Sequence, residues 1–262
     1  MEIRNLRFDF SVPRYWHPRG RAVSILYDNL SVFFPLGERF FIKSIKAHAH
    51  LITRPELEQD VKAFCAQEAV HSREHERYNA MLRKLGRPVD DYERRVDRIL
   101  TRASRYLPKR WQLAATVALE HFTATMGHCV LSDERVLGSA HPEMRSLWRW
   151  HSIEENEHKS VAYDVYLAAG GNRIERSFVM LCATVIFWFK VFEQQARMMH
   201  SDGIAFELSE WRSLLVYLFD DPGTMKDIFA LYAPFFAADF HPAKFDNEAL
   251  IERATKAQWD AA

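Results

Sequence analysis

The chain has 262 residues, enough for a sizeable core, and sets 35 basic against 35 acidic residues for a formal net charge of +0. That balance removes any general electrostatic case for nucleic acid or an acidic membrane, so partners have to be read from a local site. The three cysteines, Cys65, Cys129 and Cys182, lie in apolar, helical-looking segments without CxxC spacing, which predicts reduced, packed thiols in a cytoplasmic protein.

The start, MEIRNLRFDF, lacks the basic-then-apolar pattern of an export signal. Residues 1–22, rich in Pro, Arg and aromatics, read as an extended arm in which His17 is structural or solvent-facing. From Ala22 to Ile52 the pattern is helical with Pro35 inside it, so either a helix begins at Pro35 or a longer helix bends there. The seam of that segment, Phe34, Glu38, Phe41, Ile45, His48 and Ile52, carries one carboxylate. Thr53 or Pro55 starts a second helix that runs to about Leu85 and stops at Gly86-Arg87-Pro88. Residues 89–107 are strongly charged and predict a short, solvated helix. Pro108 opens a long helix over 109–132, where Glu120 sits among small and apolar seam residues including Ala124 and Gly127.

A fourth helix is expected from about Ser139 to Gly170-Gly171, and a fifth over 174–200 holds the apolar run Phe178–Phe189. That run is too short for a bilayer span, which needs roughly 20 residues, so a buried helix is expected, with a substrate channel or a membrane-surface face as alternatives. Shorter helices at 206–218 and 223–233 precede an irregular aromatic tail. Strand alternation is nearly absent and no linker divides the chain. The reading is all-α: one helical domain over 1–262, with an arm at 1–22 and accessory helices and tail at 174–262.

Ionisable residues interrupt the apolar seams of the long helices. Stepping by three and four through the second helix gives Val61, Phe64, Glu68, His71, His75, Tyr78 and Leu82. The fourth gives His151, Glu155, His158, Ala162 and Val165. Burying such groups unpaired costs several kcal/mol each on an order-of-magnitude scale, so something must satisfy them together, and a metal does so with carboxylates and imidazoles. Glu-x-x-His alone is a weak signal, since chance supplies about one in a chain of this composition. The weight comes from the helical order Glu38, Glu68-x-x-His71, Glu120, Glu155-x-x-His158, the inward-facing set of carboxylate-bridged two-metal four-helix bundles. No soft ligand lies on these seams, which argues against copper(I) or an iron–sulfur cluster.

The pattern resembles the ferritin-like di-iron superfamily. His151-x-x-x-Glu155-x-x-His158 is similar to the p-aminobenzoate N-oxygenase type, in which a third histidine joins the set. The stretches FPLGERFF, AQEAVHSREH and WHSIEENEHKSVAYDVY, within roughly residues 5–245, resemble a bacterial family catalogued as "predicted metal-dependent hydrolase". These resemblances imply a ferritin-like four-helix bundle with additional C-terminal helices. They imply Glu38 and Glu120 as single-carboxylate ligands, Glu68 and Glu155 as the bridging pair, His71 and His158 as terminal imidazoles and His151 as the extra one. The implied cofactor is two iron ions, with manganese or a mixed manganese–iron pair as alternatives and zinc less favoured. His75 departs from the pattern, as an eighth ligand, a proton shuttle or a supporting partner; with Glu68 and Glu155 it is a candidate catalytic residue. Glu157 is expected to face solvent, Glu154 is the lesser substitute for Glu155, and His121 and His128 read as packing residues.

Three function classes follow. The first is a di-iron oxidoreductase that activates dioxygen to oxygenate or desaturate a small hydrophobic substrate. It would take electrons from an external donor, because no Gly-rich turn encodes a flavin or nicotinamide site. The second is a metal-dependent hydrolase with a two-metal activated water. The third is a non-catalytic metal-binding bundle. A homodimer is expected, nucleic acid is not, and membrane contact is the less favoured partner.

Overall fold

A computed structural model describes residues 1–259. Among them all regular structure is helical: ten α-helices, three short 3-10 turns and no strand. The chain is an all-α bundle.

The first helix, α1 (Arg21–Lys46), runs unbroken through Pro35. Proline lacks the N–H that would bond back to the Ser31 carbonyl, four residues earlier. The second helix, α2 (Pro55–Lys84), fills that gap, for Asn79 Nδ2 donates to Ser31 O at 3.3 Å. Helix α2 begins on a proline, whose missing N–H costs nothing at that position. It ends where Gly86 takes φ 82°, the left-handed conformation that lets Arg87 N bond back to Leu82 O at 3.1 Å. Helix α3 (Val89–Tyr106) is longer than expected, and only Val89, Tyr92 and Val96 of it are buried. Helix α4 (Lys109–Ser132) matches its sequence bounds.

The fourth predicted helix is two. Helix α5 (Pro142–Glu157) stops just before His158, and α6 (Val161–Ala168) resumes after a turn. No Pro or Gly marks that break. It is held from the far end of the chain, where Phe245 O and Asn247 accept bonds from Lys159 Nζ. Helices α8 (Leu208–Phe219) and α9 (Thr224–Tyr232) follow α7 (Arg173–Ser201), and the tail contains a further helix, α10 (Glu248–Trp259), which sequence reading left irregular. Helix α10 sets Ala254 against Leu131 of α4 and Ile153 of α5.

Two expectations of burial fail together. Helix α7 was expected to be buried along its apolar run, but Phe178, Leu181, Val185, Ile186 and Phe189 are exposed, and so is Cys182; Cys65 is half-buried and only Cys129 is buried. A helix that is apolar nearly all round offers more greasy surface than α1 and α4, its main neighbours, can cover. No helix among the described residues is long and apolar enough to cross a membrane.

The apolar interior forms two main masses. One contains Tyr27, Leu30, Tyr78, Cys129, Leu147 and Trp148, and the other Phe41, Phe64, Leu113, Val117, Val161 and Ala162. Helices α1, α2 and α4 each pass from one mass to the other, and α5 and α6 do so between them. The polar seam residues lie at the crossing.

Candidate metal centre

At that crossing Glu38, Glu68, His71, Glu120, His151, Glu155 and His158 converge, each no more than 3% exposed. Two groupings bring one ligand atom per residue within 4.8 Å of one another: Glu68, His71, Glu155 and His158, and Glu38, His71 and His151. Glu120 joins the first through His158, whose Nδ1 lies 3.2 Å from Glu120 Oε2 while its Nε2 lies 3.2 Å from Glu68 Oε1. His71 Nδ1 is 3.6 Å from Glu155 Oε1, and His151 Nε2 is 2.9 Å from the same oxygen.

These are close approaches, yet the cluster is starved of hydrogen bonds. Glu38 Oε1, both oxygens of Glu68 and of Glu120, Glu155 Oε2, His71 Nδ1, His151 Nε2 and both nitrogens of His158 are buried without a hydrogen-bond partner. Buried polar atoms are almost always paired, so so many orphans in one place need a cause. Donor atoms of neighbouring ligands on one metal stand about 3 Å apart, because bonds of about 2.0–2.2 Å meet at tetrahedral or octahedral angles. The separations here, 2.9 to 3.6 Å, have that size. No lysine or arginine among the described residues forms an ion pair with Glu38, Glu68, Glu120 or Glu155. Arg73 turns to Glu74 and Lys159 to the tail. The donor set is that of hard or borderline divalent ions.

Around the cluster lies a second layer that fixes ring orientation. His71 Nε2 is hydrogen-bonded to Glu154 Oε2 at 2.9 Å, which leaves Nδ1 as the atom facing inward. Glu154 is reached by Arg4 at 3.4 Å, and Arg4 also forks onto Glu157 at 2.7 and 2.9 Å. Glu157 is therefore tied to the N-terminal arm rather than turned to solvent. Glu154 does not replace Glu155 but supports His71. His75 offers neither nitrogen to the cluster: Nε2 bonds His151 Nδ1 at 2.8 Å and Nδ1 bonds Ser31 Oγ at 2.9 Å. Ser72 Oγ donates to Glu38 Oε2 at 2.8 Å. His17 is buried against Val136 O, His121 bonds Leu231 O, and His128 lies away from the centre against Phe245.

Sequence reasoning missed Arg4, Ser31 and Ser72. Nothing in the local pattern marks them, since each bonds a side chain that another element supplies.

Burial sets the charge of the metal-free cluster. Desolvation, reinforced by the neighbouring carboxylates, holds the Glu38 and Glu68 carboxyls well above their ordinary range and pushes Glu120 up to about 7. Burial acts the same way on Glu155, but the close approach of His151 Nε2 and the His158 charge overcome it and bring Glu155 down to about 2. Burial opposes protonation of His158, yet Glu120 and Glu155 raise it to about 9. Desolvation and His151 keep His71 well below its usual value.

A narrow cavity of about 70 Å³ opens on His151 and Glu155, lined by Leu30, Phe34, Met126, Trp148 and Trp188 with no lysine or arginine. A second, about 80 Å³, reaches Glu38 past Phe33, Phe41 and Phe122. Leu30, Phe34, Thr123 and Met126 line both. The apolar space thus touches the cluster on two sides of one phenylalanine.

A family model described as "Predicted metal-dependent hydrolase" matches residues 2–246. No curated protein and no solved structure matches the chain. The family description names hydrolysis, the second of the reactions expected from the sequence, and not the oxidation expected first.

Proposed function

The chain belongs to the predicted metal-dependent hydrolase family, and from that membership and the geometry of the cluster we propose that it is a two-metal enzyme acting on an apolar substrate, with hydrolysis as its reaction. The observation that carries the reading is the set of orphaned, buried donor atoms converging from α1, α2, α4, α5 and the turn after α5.

In this reading two divalent ions would be held at Glu68 and Glu155, whose ligand atoms converge. Glu120 and His158 complete one site, and Glu38, His71 and His151 the other. The order Glu, Glu-x-x-His, Glu, Glu-x-x-His supports placing the bundle with ferritin-like two-metal proteins. Metal bound here would supply a water of lowered pKa and polarise a substrate carbonyl. The protein's own contribution is fourfold. Four carboxylates offset the cationic charge. Glu154 and His75 hold His71 and His151 in the orientations that aim their free nitrogens inward. The Phe34 and Trp148 walls exclude bulk water. The cavity at Glu155 accepts an apolar group, and its lack of cations disfavours phosphate esters and favours an acyl ester or amide.

A second reading, oxidation of an apolar substrate by dioxygen with iron and an external electron donor, is favoured by one observation: the space beside the donor set is walled by Leu, Phe, Met and Trp. One experiment separates the two. Protein stripped of metal is reconstituted with zinc, manganese or ferrous iron, then assayed for hydrolysis of aryl alkanoates of increasing chain length and for oxygen uptake. Hydrolysis that needs added metal and is lost in Glu155→Gln supports the first reading. Oxygen uptake with ferrous iron alone, and no metal-dependent hydrolysis, overturns it in favour of the second.

A further inference from the structure

Between Ile174 and Phe192 every exposed residue of α7 is apolar or a cysteine: Ile174, Phe178, Leu181, Cys182, Val185, Ile186, Phe189 and Phe192. The exposures are large, 83% for Ile174, 70% for Val185 and 63% for Phe189. Ile174, Phe178, Leu181, Val185, Phe189 and Phe192 follow one another at steps of four, three, four, four and three, the spacing of a packing seam. The opposite face of the same helix is already used, for Phe187 and Trp188 line the two cavities beside the cluster.

We propose that this stripe is the interface between two copies of this chain, packed α7 against α7, antiparallel, across a two-fold axis near residue 183. Area argues for a protein partner of this size. Summed over the stripe, the exposed fractions amount to about four whole side chains, or roughly 800 Å² at about 200 Å² for a large apolar residue. A standard stable interface buries about 800 Å² on each partner, whereas a monomer's largest apolar patch is roughly 300–600 Å². Symmetry argues for a second copy. The stripe is centred on residue 183, so an antiparallel two-fold sets Ile174 against the partner's Phe192 and Leu181 against the partner's Val185 and pairs the patch with itself. Charge argues against a lipid surface, where such a helix carries basic residues along its flanks. The cations beside the stripe are already engaged, half-buried Lys190 with Glu193 at 2.6 Å and Arg173 at the start of the helix with Phe236 O at 2.9 Å. This inference does not depend on the reaction proposed above.

The test is light scattering coupled to gel filtration and sedimentation equilibrium on the full chain, with Val185→Arg and Phe189→Glu made separately. Wild type should be a dimer at micromolar concentration. Each variant should raise the dissociation constant at least about 100-fold, because a charge is then buried in the seam, with helical circular dichroism unchanged. A short bismaleimide should join two copies through Cys182, and not after Cys182→Ser; this needs no folded variant. In a Cys182→Ser background, Ile174→Cys with Phe192→Cys should give 174-to-192 cross-links between copies, which a parallel pairing does not allow. A monomeric wild type, a dimer indifferent to both charged variants and lacking the Cys182 cross-link, or a monomer that instead binds neutral phosphatidylcholine vesicles would each overturn the proposal.

Discussion

Consider Glu68→Gln, an isosteric change at the centre of the cluster. Glu68 is fully buried, both its oxygens lack hydrogen-bond partners, and burial favours the protonated form of its carboxyl when no metal is bound. On substitution the metal-free protein loses only the His158–Glu68 approach at 3.2 Å, because His158 keeps Glu120 and Glu155 as the partners that hold its charge. The expected change in its stability is within about 1 kcal/mol. With metal the variant lacks one bridging carboxylate. A ligand present at about a thousand times its dissociation constant stabilises a fold by about 4 kcal/mol. At about 2–4 °C per kcal/mol for a chain of this size, that is a rise in Tm of about 8–16 °C, most of which Glu68→Gln should abolish. Calorimetry of wild type and variant, with chelator and with each divalent metal, measures both terms. The competing account is a structural network of buried ion pairs, in which removing one partner costs about 3–5 kcal/mol without any metal. A large loss of stability in the chelated variant, or a wild type whose Tm ignores metal, refutes the reasoning.

Other consequences follow from the same geometry. Loading the centre has to displace protons from Glu38, Glu68, Glu120 and His158, so metal affinity should rise with pH between about 6 and 9 with net proton release; calorimetry in buffers of different ionisation enthalpy checks this, and a pH-independent affinity contradicts it. In the metal-free protein Glu120 binds its proton more tightly folded than unfolded. The Glu120 contribution to stability should therefore be lost as pH rises from about 4.5 to about 7, and the His158 contribution in turn as pH approaches about 9, the reverse of the buried His17 and His121, whose lowered values add stability as pH rises over about 4 to 6.5; chemical denaturation of wild type and Glu120→Gln with chelator across that range isolates the first. His75→Ala removes the partner of His151 Nδ1 and should weaken one metal site by about 10–100-fold while sparing the other, seen as two unequal binding steps in a titration. Gly127→Ala places a methyl 2.9 Å from Asn156 Nδ2 and 3.2 Å from the Ser152 backbone, where α4 and α5 meet, and should cost about 1–3 kcal/mol by denaturant titration, with metal stoichiometry retained if the helices yield.

The helices and the seven converging side chains were legible because one physical rule governs both. A seam position on a long helix faces the interior, so a carboxylate or imidazole at that phase marks itself as needing a partner. The rule works for Glu38, Glu68, His71, Glu120, His151 and Glu155, whose helices are regular. It placed His158 correctly but missed the turn that carries it, since that break is held by Lys159 bonding to Phe245 and Asn247, nearly ninety residues away. Arg4, Ser31 and Ser72 escaped for the same reason: their roles come from contacts between elements, not from periodicity within one. The apolar run of α7 misled in the opposite sense. Hydropathy reports what a residue would prefer to touch, and Val185 and Phe189 show that the chain's own fold does not supply all of it.

The most direct test of the account is the metal content of the purified protein, determined together with the positions of the ions by anomalous diffraction. Two divalent ions per chain, lying between Glu68 and Glu155 and each touching one of the two histidine groups, is the result the account predicts. A well-folded protein that binds no ion at this cluster under saturating metal, or one whose only ion lies elsewhere, would contradict it.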